Sequence, residues 1–271
     1  MGNYRFLADE EELKWFWDYG IPPLQKNEIY FVSLSARNKQ LNEKEREEYK
    51  VGRSEMFGKQ QIRYDDWGQF LRHIKRFEVR KDAYLTKAEI PYPQKVLVVY
   101  WNITPIDAYK AMKDQMTYLN EVLSSLADSA IKNSQGGIDE AFYKVRKSFD
   151  TCQSLFARNF GHKEWVDFDI DSVLDYDQKI KVWDYFRQQF GTGNTMFIET
   201  AGGLHCLLRK SCLKKNPQII CNELLIILPN AKEIVRNTNE MIPLPGTYQY
   251  GNHIVKIFNK EDFKDEHKLH R

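Results

Sequence analysis

The sequence lacks any apolar run of the roughly 18 residues or more that mark a membrane-spanning helix, and no secretory hydrophobic segment follows Met1. We therefore expect a soluble, cytoplasmic protein without a membrane partner. Internal repeats and low-complexity tracts are also missing, so neither a repeat architecture nor a largely disordered chain is indicated. The formal net charge is only +2, which does not imply a general electrostatic grip on nucleic acid, although local basic patches can still provide one.

Cysteine is scarce, and the four cysteines form no Cys-x-x-Cys pair. A chain of 271 residues does not need disulfides to stabilise a core, so we expect Cys152, Cys206, Cys212 and Cys221 to be reduced thiols. The alternative is a zinc site formed by His205 and the last three cysteines. Their spacing fits no standard zinc pattern, and we expect no zinc.

The chain has ample material for a core, since 42% of its residues are hydrophobic and 14% aromatic. Hydrophobic periodicity and turn residues predict helices over residues 9–19, 42–50, 65–76, 104–130, 141–156 and 177–190. They predict strands over residues 28–34, 95–101, 165–170, 195–200, 204–208 and 253–258. The predicted class is α+β, with an N-terminal α/β unit followed by a small sheet module. We divide the chain into an accessory region (1–90), a core (91–260) and a polar tail (261–271).

Three aspartates alternate with apolar residues from 165 to 171. Because successive strand side chains point to opposite faces, Asp167, Asp169 and Asp171 share one face and the apolar residues share the other. Neighbouring carboxylates repel one another, and a divalent cation removes that repulsion because Mg²⁺ and Mn²⁺ prefer hard oxygen ligands. We therefore predict a divalent-metal phosphate site. The alternative is an edge strand whose charges are solvated.

Two later motifs place polar groups beside glycine and proline. In Glu199–His205, paired glycines precede a histidine that can meet an anion such as phosphate, although a histidine in a hairpin is commonly structural. In Glu240–Thr247, two prolines and a glycine predict a rigid loop that carries a carboxylate and a hydroxyl. The alternative for this second motif is an ordinary turn before the last strand.

The order of these motifs resembles the archaeo-eukaryotic primase superfamily, the primase-polymerases. The matching residues are WVDFDID at Trp165–Asp171, ETAGGLH at Glu199–His205 and EMIPLPGTYQ at Glu240–Gln249. A looser match, KVLVVYWNITP at Lys95–Pro105, is similar to the strand and turn of that family's N-terminal α/β unit. The resemblance covers residues 160–258 and implies an RRM-like antiparallel-sheet catalytic module of the primase-polymerase type.

The resemblance also implies a role for each motif. Asp167 and Asp169 would hold two catalytic Mg²⁺ or Mn²⁺ ions, with Asp171 as the alternative partner of Asp169. His205 would contact the phosphates of the incoming nucleotide. Glu240 would be the third metal ligand, at a position where the family usually has an aspartate after an apolar residue. Gly203 and Thr247, which lie within the motifs, are further nucleotide-binding residues. Arg209, Lys210 and Lys256 are assigned as phosphate contacts by proximity only.

The implied activity is that of a template-dependent primase or DNA polymerase, which transfers nucleotides onto a 3′-hydroxyl by two-metal chemistry. Its partners would be a nucleic-acid template, nucleoside triphosphates, and a helicase or other replication protein of a mobile element, phage or bacterium. The helix over residues 65–76 is basic, and either it is a solvated face or it grips the template together with Tyr248. Two other classes stay open. One is a non-catalytic nucleic-acid-binding replication-initiation protein on the same fold, and the other is a metal-dependent nuclease or phosphoesterase.

Overall fold

The computed structural model describes residues 2–50, 54–62, 66–86, 88–132, 136, 139–140, 143, 159–237, 241–264 and 267–269. Within them lie six α-helices: α1 (Glu10–Tyr19), α2 (Glu43–Tyr49), α3 (Trp67–Lys75), α4 (Ala108–Ile131), α5 (Tyr176–Phe190) and α6 (Pro217–Ile227). Among these described residues, no helix has both the length and the apolar character needed to cross a membrane.

The same residues form twelve strands, and every pairing between them is antiparallel. The strands are β1 (Glu28–Arg37), β2 (Ser54–Ile62), β3 (Leu97–Asn102), β4 (Ile106–Asp107), β5 (Trp165–Ile170), β6 (Thr195–Thr200), β7 (Gly203–Arg209), β8 (Ile234–Arg236), β9 (Met241–Pro243), β10 (Tyr248–Gln249), β11 (His253–Ile254) and β12 (Lys256–Ile257). This mixture of helices and antiparallel sheets confirms the predicted α+β class.

The chain divides into two compact units. The larger contains Met1–Pro23, Tyr30–Ile103 and Lys163–Arg271, and the smaller contains Leu24–Ile29 and Thr104–His162. The division at residues 90 and 260 stays a prediction about domain organisation.

The larger unit contains a sheet of order β12-β6-β7-β5-β8. Along the chain its elements run β5-α5-β6-β7-α6-β8, so that β7 is inserted between β5 and β6. This is the split βαβ arrangement, in which two helices cover one face of an antiparallel sheet. Its assignment to a primase-polymerase module stays a prediction.

The two faces of that sheet differ as the alternating pattern predicts. Val166, Phe168 and Ile170 of β5 pack against α5 and α6 in a buried apolar cluster, where Phe168 contacts Phe186 with ring centroids 6.0 Å apart. This burial is the main stabilisation of the module, since each large apolar side chain contributes about 1.5–3 kcal/mol. The aspartates between these residues are left on the opposite face.

The larger unit also contains a sheet of order β2-β1-β3-β9. Its strand β3 is buried from Leu97 to Trp101, as the almost wholly apolar sequence of this run predicts for a strand covered on both faces. Strand β9 joins residues from beyond position 240 to this N-terminal sheet, pairing Trp101 with Ile242.

In the smaller unit, the helix α4 begins later than the sequence predicts. The sequence predicts that Thr104 caps α4 and that Pro105 is its first residue. Instead Ile106 and Asp107 form β4 and pair with β1, so α4 begins at Ala108. Asp107 is the N-cap, and its side chain accepts a hydrogen bond from Lys110 N at 2.9 Å. The helix predicted over residues 141–156 lies almost entirely outside the described residues.

Candidate active site

Strands β5 and β7 bring the first two motifs together. In their antiparallel register Asp169 lies opposite His205, and Asp167 lies two residues further along the same face. Strand β5 is flanked by β7 on one side and β8 on the other. A solvated edge strand is therefore excluded, because β5 is an inner strand of the sheet, and the aspartates project from one face of that inner strand.

Asp167 is held by two neighbours. Its Oδ2 atom lies 2.9 Å from His205 Nδ1 and accepts a hydrogen bond from Asn237 Nδ2 at 2.8 Å. The backbone N–H of Asn237 also donates to the Asp167 carbonyl oxygen, at 3.0 Å. These contacts fix the carboxylate and orient the imidazole, because Nδ1 of His205 is the nitrogen that faces Asp167.

The other Asp167 oxygen, Oδ1, has no hydrogen-bond partner within the part of the chain that the structure describes. The side chain of Asp167 is 0% exposed, so water does not reach this atom from outside. A buried acceptor left without a partner costs about 1–3 kcal/mol. A ligand that supplies a positive charge or a donor at Oδ1 would remove that cost.

The charges of the site shift two pKa values upward. Burial raises the pKa of Asp169, and the neighbouring Asp167 and Asp171 add to this, while His205 acts in the opposite direction. Burial opposes protonation of His205, but the adjacent Asp167 carboxylate outweighs it and raises the His205 pKa to about 9. At neutral pH the metal-free site therefore holds an imidazolium against a carboxylate.

A cavity of about 700 Å³ opens over this acidic face, within the larger unit. Its volume is in the range of small-molecule sites. Asp169, Asp171 and His205 line it on one side, whereas Asp167 lies beneath its wall. The lining residues from the sheet β2-β1-β3-β9 are Ser35, Arg37, Met56, Tyr100, Met241 and Pro243, and Lys39 joins them from the turn after β1.

The paired glycines have different surroundings. A Cβ at Gly203 would lie 1.9 Å from the carbonyl oxygen of Ile170, so this glycine permits the close approach of β7 to the end of β5. A Cβ at Gly202 would meet only Asp171 Oδ1, at 3.8 Å. Both glycines line the cavity, but only Gly202 leaves space at its surface.

The second and third motifs also meet. The side chain of Gln249, in β10, accepts a hydrogen bond from the backbone N–H of Ala201 in the β6–β7 turn, at 2.7 Å. Gln249 and its neighbour Tyr250 line the cavity. Tyr250 has a φ of 56°, a left-handed conformation that is uncommon for a bulky residue and is found at functional sites.

Other predicted contacts do not reach the cavity lining. Arg209 lies at the far end of β7, paired with Glu164 and stacked 4.9 Å over Trp165, and Lys210 begins the turn that follows. Thr247 is buried, and its hydroxyl donates to the Leu244 carbonyl oxygen at 2.6 Å. Lys256 is exposed on β12. These residues are near the motifs in the sequence, but their side chains do not line the cavity.

The residues present fit a hard divalent cation in part. Mg²⁺ is commonly bound by one or two carboxylates together with water and substrate phosphates, rather than by a complete protein cage. Asp169 and the unpartnered oxygen of Asp167 supply carboxylate donors of that kind. Among the described residues no group of three or more His, Cys, Asp or Glu side chains forms a complete cation site. Glu240 lies outside the described residues; Met241, which follows it, lines the cavity.

A shared zinc site does not fit the faces of β7. His205 points to the cavity, whereas Cys206 points to the apolar core and packs there with Cys221. Burial raises the pKa of both thiols, which disfavours the thiolate form that binds zinc. Cys206, Cys212 and Cys221 are free cysteines, and Cys152 lies outside the described residues.

Comparison with protein-family models, with curated proteins and with solved structures finds no match to this chain.

Proposed function

We propose that the protein is a DNA-dependent primase or polymerase, which adds nucleotides to a 3′-hydroxyl on a nucleic-acid template with the help of Mg²⁺ or Mn²⁺. The observation that carries the proposal is the Asp167 carboxylate. It is fully buried and held through one oxygen by His205 and Asn237, and its other oxygen has no hydrogen-bond partner among the described residues. Asp169 lies two residues along the same face of the strand. The motif resemblance supplies the reaction, and the cavity of about 700 Å³ supplies space for a nucleotide.

In this proposal Asp167 and Asp169 hold the metal, with Asp171 as the alternative partner of Asp169. When bound, the metal would neutralise phosphate charge and favour loss of the proton from the attacking hydroxyl. The chain's own groups position the substrate. His205 lines the cavity and offers positive charge to a phosphate, while Asp167 and Asn237 fix its orientation and reduce the entropy lost on binding.

The proposed setting is cytoplasmic, with a template, nucleoside triphosphates and a replication protein such as a helicase as partners. Tyr248 and the basic residues around α3 are proposed template contacts. Arg72 and Lys75 of α3 are exposed, whereas Phe70 and Ile74 are buried, so this helix presents a basic outer face.

The test is an extension assay on primed and unprimed single-stranded templates with nucleotides and Mn²⁺ or Mg²⁺. We expect product from the wild-type protein and a loss of at least about 100-fold in Asp169→Asn, because catalysis depends on charge neutralisation at the phosphates. Asp177→Asn, an exposed aspartate in the first turn of α5, is the matched control and should retain activity.

The other outcomes identify the competing classes. Degradation of the template that depends on Asp169 would indicate a nuclease or phosphoesterase. Template binding without any product, equal in wild type and Asp169→Asn, would indicate a non-catalytic nucleic-acid-binding protein. Either result would refute the proposed polymerase.

A further inference from the structure

Arg37 lies across the cavity from the carboxylates, at the end of β1. Ser35 and Arg37 alternate with Leu34 and Ala36, which are both 0% exposed, so the first pair faces the cavity and the second pair faces the core. Lys39 follows in the next turn and also lines the cavity. The sequence motifs contain none of these residues, because they lie more than a hundred positions before Asp167.

Among the described residues, the charge of Arg37 is not paired with a carboxylate. Its Nε atom is buried and lacks a hydrogen-bond partner in the described residues, and no ion pair to Arg37 forms among them. Its guanidinium carbon lies 5.7 Å from the ring centroid of Tyr100. Burial raises the pKa of Tyr100 to about 12, so the phenol is neutral at physiological pH and does not compensate the charge.

Lys39 forms only a weak, exposed ion pair. It lies 3.4 Å from Asp171, and both side chains are about half exposed, at 51% and 47%. An exposed pair of this kind is worth little, so Lys39 can turn to another anion at low cost. The cavity is therefore lined by carboxylates at β5 and by Arg37 and Lys39 at the end of β1, and among the described residues the Nε donor of Arg37 is unused.

We propose that Arg37, assisted by Lys39, binds the polyphosphate chain of a nucleoside triphosphate in this cavity. Guanidinium donors match phosphate oxygens in geometry and charge, and an anion at Nε would satisfy the buried donor. The carboxylates opposite Arg37 would repel a bare polyphosphate, so the ligand is expected as its Mg²⁺ complex. This inference rests on the proposed function for the choice of nucleotide as substrate.

The cavity favours a nucleotide over a polynucleotide backbone as the source of phosphate. Its walls come from two sheets, and Tyr100 and Tyr250 stand beside Arg37 as apolar surfaces for a base. Tyr250 lines the same cavity as Arg37 and Asp171.

The experiment measures equilibrium binding of ATP, adenosine and a single-stranded oligonucleotide in Mg²⁺ to the full chain. Arg37→Gln should weaken ATP binding by at least about tenfold, because a charge-assisted contact is lost, and leave adenosine and oligonucleotide affinity unchanged. The ATP affinity of Arg37→Lys should lie between those of wild type and Arg37→Gln, since lysine keeps the positive charge but lacks the Nε donor. Arg46→Gln, an exposed arginine on α2, is the matched control and should bind ATP normally.

Several results would overturn the inference. They are wild-type ATP affinity in both Arg37 variants, an equal loss of ATP and adenosine affinity, or no binding of ATP by the wild-type protein. If Arg37→Gln weakened binding of the oligonucleotide alone, the phosphate bound by Arg37 would belong to a polynucleotide. That result would also contradict the inference. Thermal melting of each ligand-free variant checks folding, and we expect Arg37→Gln to melt close to wild type, because the described residues form no ion pair with Arg37 that the substitution would break.

The two proposals fail separately. Arg37-dependent ATP binding without template extension would support the phosphate site and refute the polymerase. Template extension that is unaffected in Arg37→Gln and Arg37→Lys would support the polymerase and refute the role of Arg37.

Discussion

His205 Nδ1 lies 2.9 Å from Asp167 Oδ2, across the pair of strands that joins the first two motifs. The contact gives the imidazole a fixed orientation and a positive charge. The other oxygen of Asp167 has no hydrogen-bond partner in the part of the chain that the structure describes.

The first prediction concerns the protonation of His205 in the metal-free protein. Its resonances should titrate with a pKa of about 9 in an NMR experiment, and Asp167→Asn should lower that value because the carboxylate is its main support. His253 provides a comparison in the same spectra, since burial lowers its pKa below the usual 6.5. A His205 pKa near 6.5 that does not respond to Asp167→Asn would contradict the ion pair.

The same pKa sets a pH dependence of stability. The folded state holds the His205 proton more tightly than the unfolded state, so this contribution is fully present below about pH 6.5. It is then lost as the pH rises toward about 9. Denaturant unfolding at pH 6 and pH 9 should show the loss in wild type and a smaller one in His205→Gln.

The second prediction compares the two glycines. Gly203→Ala should destabilise the fold by about 1–3 kcal/mol or more, because its Cβ would overlap the Ile170 carbonyl oxygen. Gly202→Ala should change the free energy of unfolding by less than about 0.5 kcal/mol, since its Cβ meets only Asp171 Oδ1 at 3.8 Å. Chemical denaturation measures both. Equal effects would mean that the close approach of β7 to β5 is wrong.

The third prediction concerns the metal. Calorimetric titration of Mn²⁺ should show at least about tenfold weaker binding in Asp169→Asn than in wild type, because a carboxylate donor and its charge are removed. Asp177→Asn should bind as wild type does. Mn²⁺ binding that survives Asp169→Asn unchanged would place the ion elsewhere.

A further pair of variants identifies the partner of Asp169. With Asp167 as the partner, Asp167→Asn should weaken Mn²⁺ binding more than Asp171→Asn does, since Asp171 is half exposed and already faces Lys39. The reverse order would assign the site to Asp169 and Asp171, the two carboxylates that line the cavity.

Local patterns predicted the central module well, because its elements are short and their apolar faces alternate cleanly. The bounds of Trp165–Ile170 and Thr195–Thr200 agree with β5 and β6. The burial of Phe168 also follows from the pattern, since a strand with alternating apolar residues must cover one face. The structure shows that α5 supplies part of that cover, through Phe186.

The rest of the site depends on pairing between strands that are far apart in the sequence. Local sequence patterns carry no information about that pairing. Arg37 reaches the cavity only because β1 pairs with β3 and β3 with β9. Conversely, Arg209 is close to His205 in sequence, but four residues of strand separate them by about 13 Å. Short strands such as β8 were also missed, because three residues carry no detectable period.

The most direct measurement is the incorporation of one nucleotide opposite a defined template base. The primer, a single nucleoside triphosphate and Mn²⁺ are mixed with wild-type protein, Asp169→Asn, and the Asp167→Ala, Asp169→Ala double mutant. The account requires wild type to add the nucleotide that complements the template base and release pyrophosphate, and both variants to lose this activity. Product formed equally by wild type and the variants, or no product from wild type on any template, would contradict it.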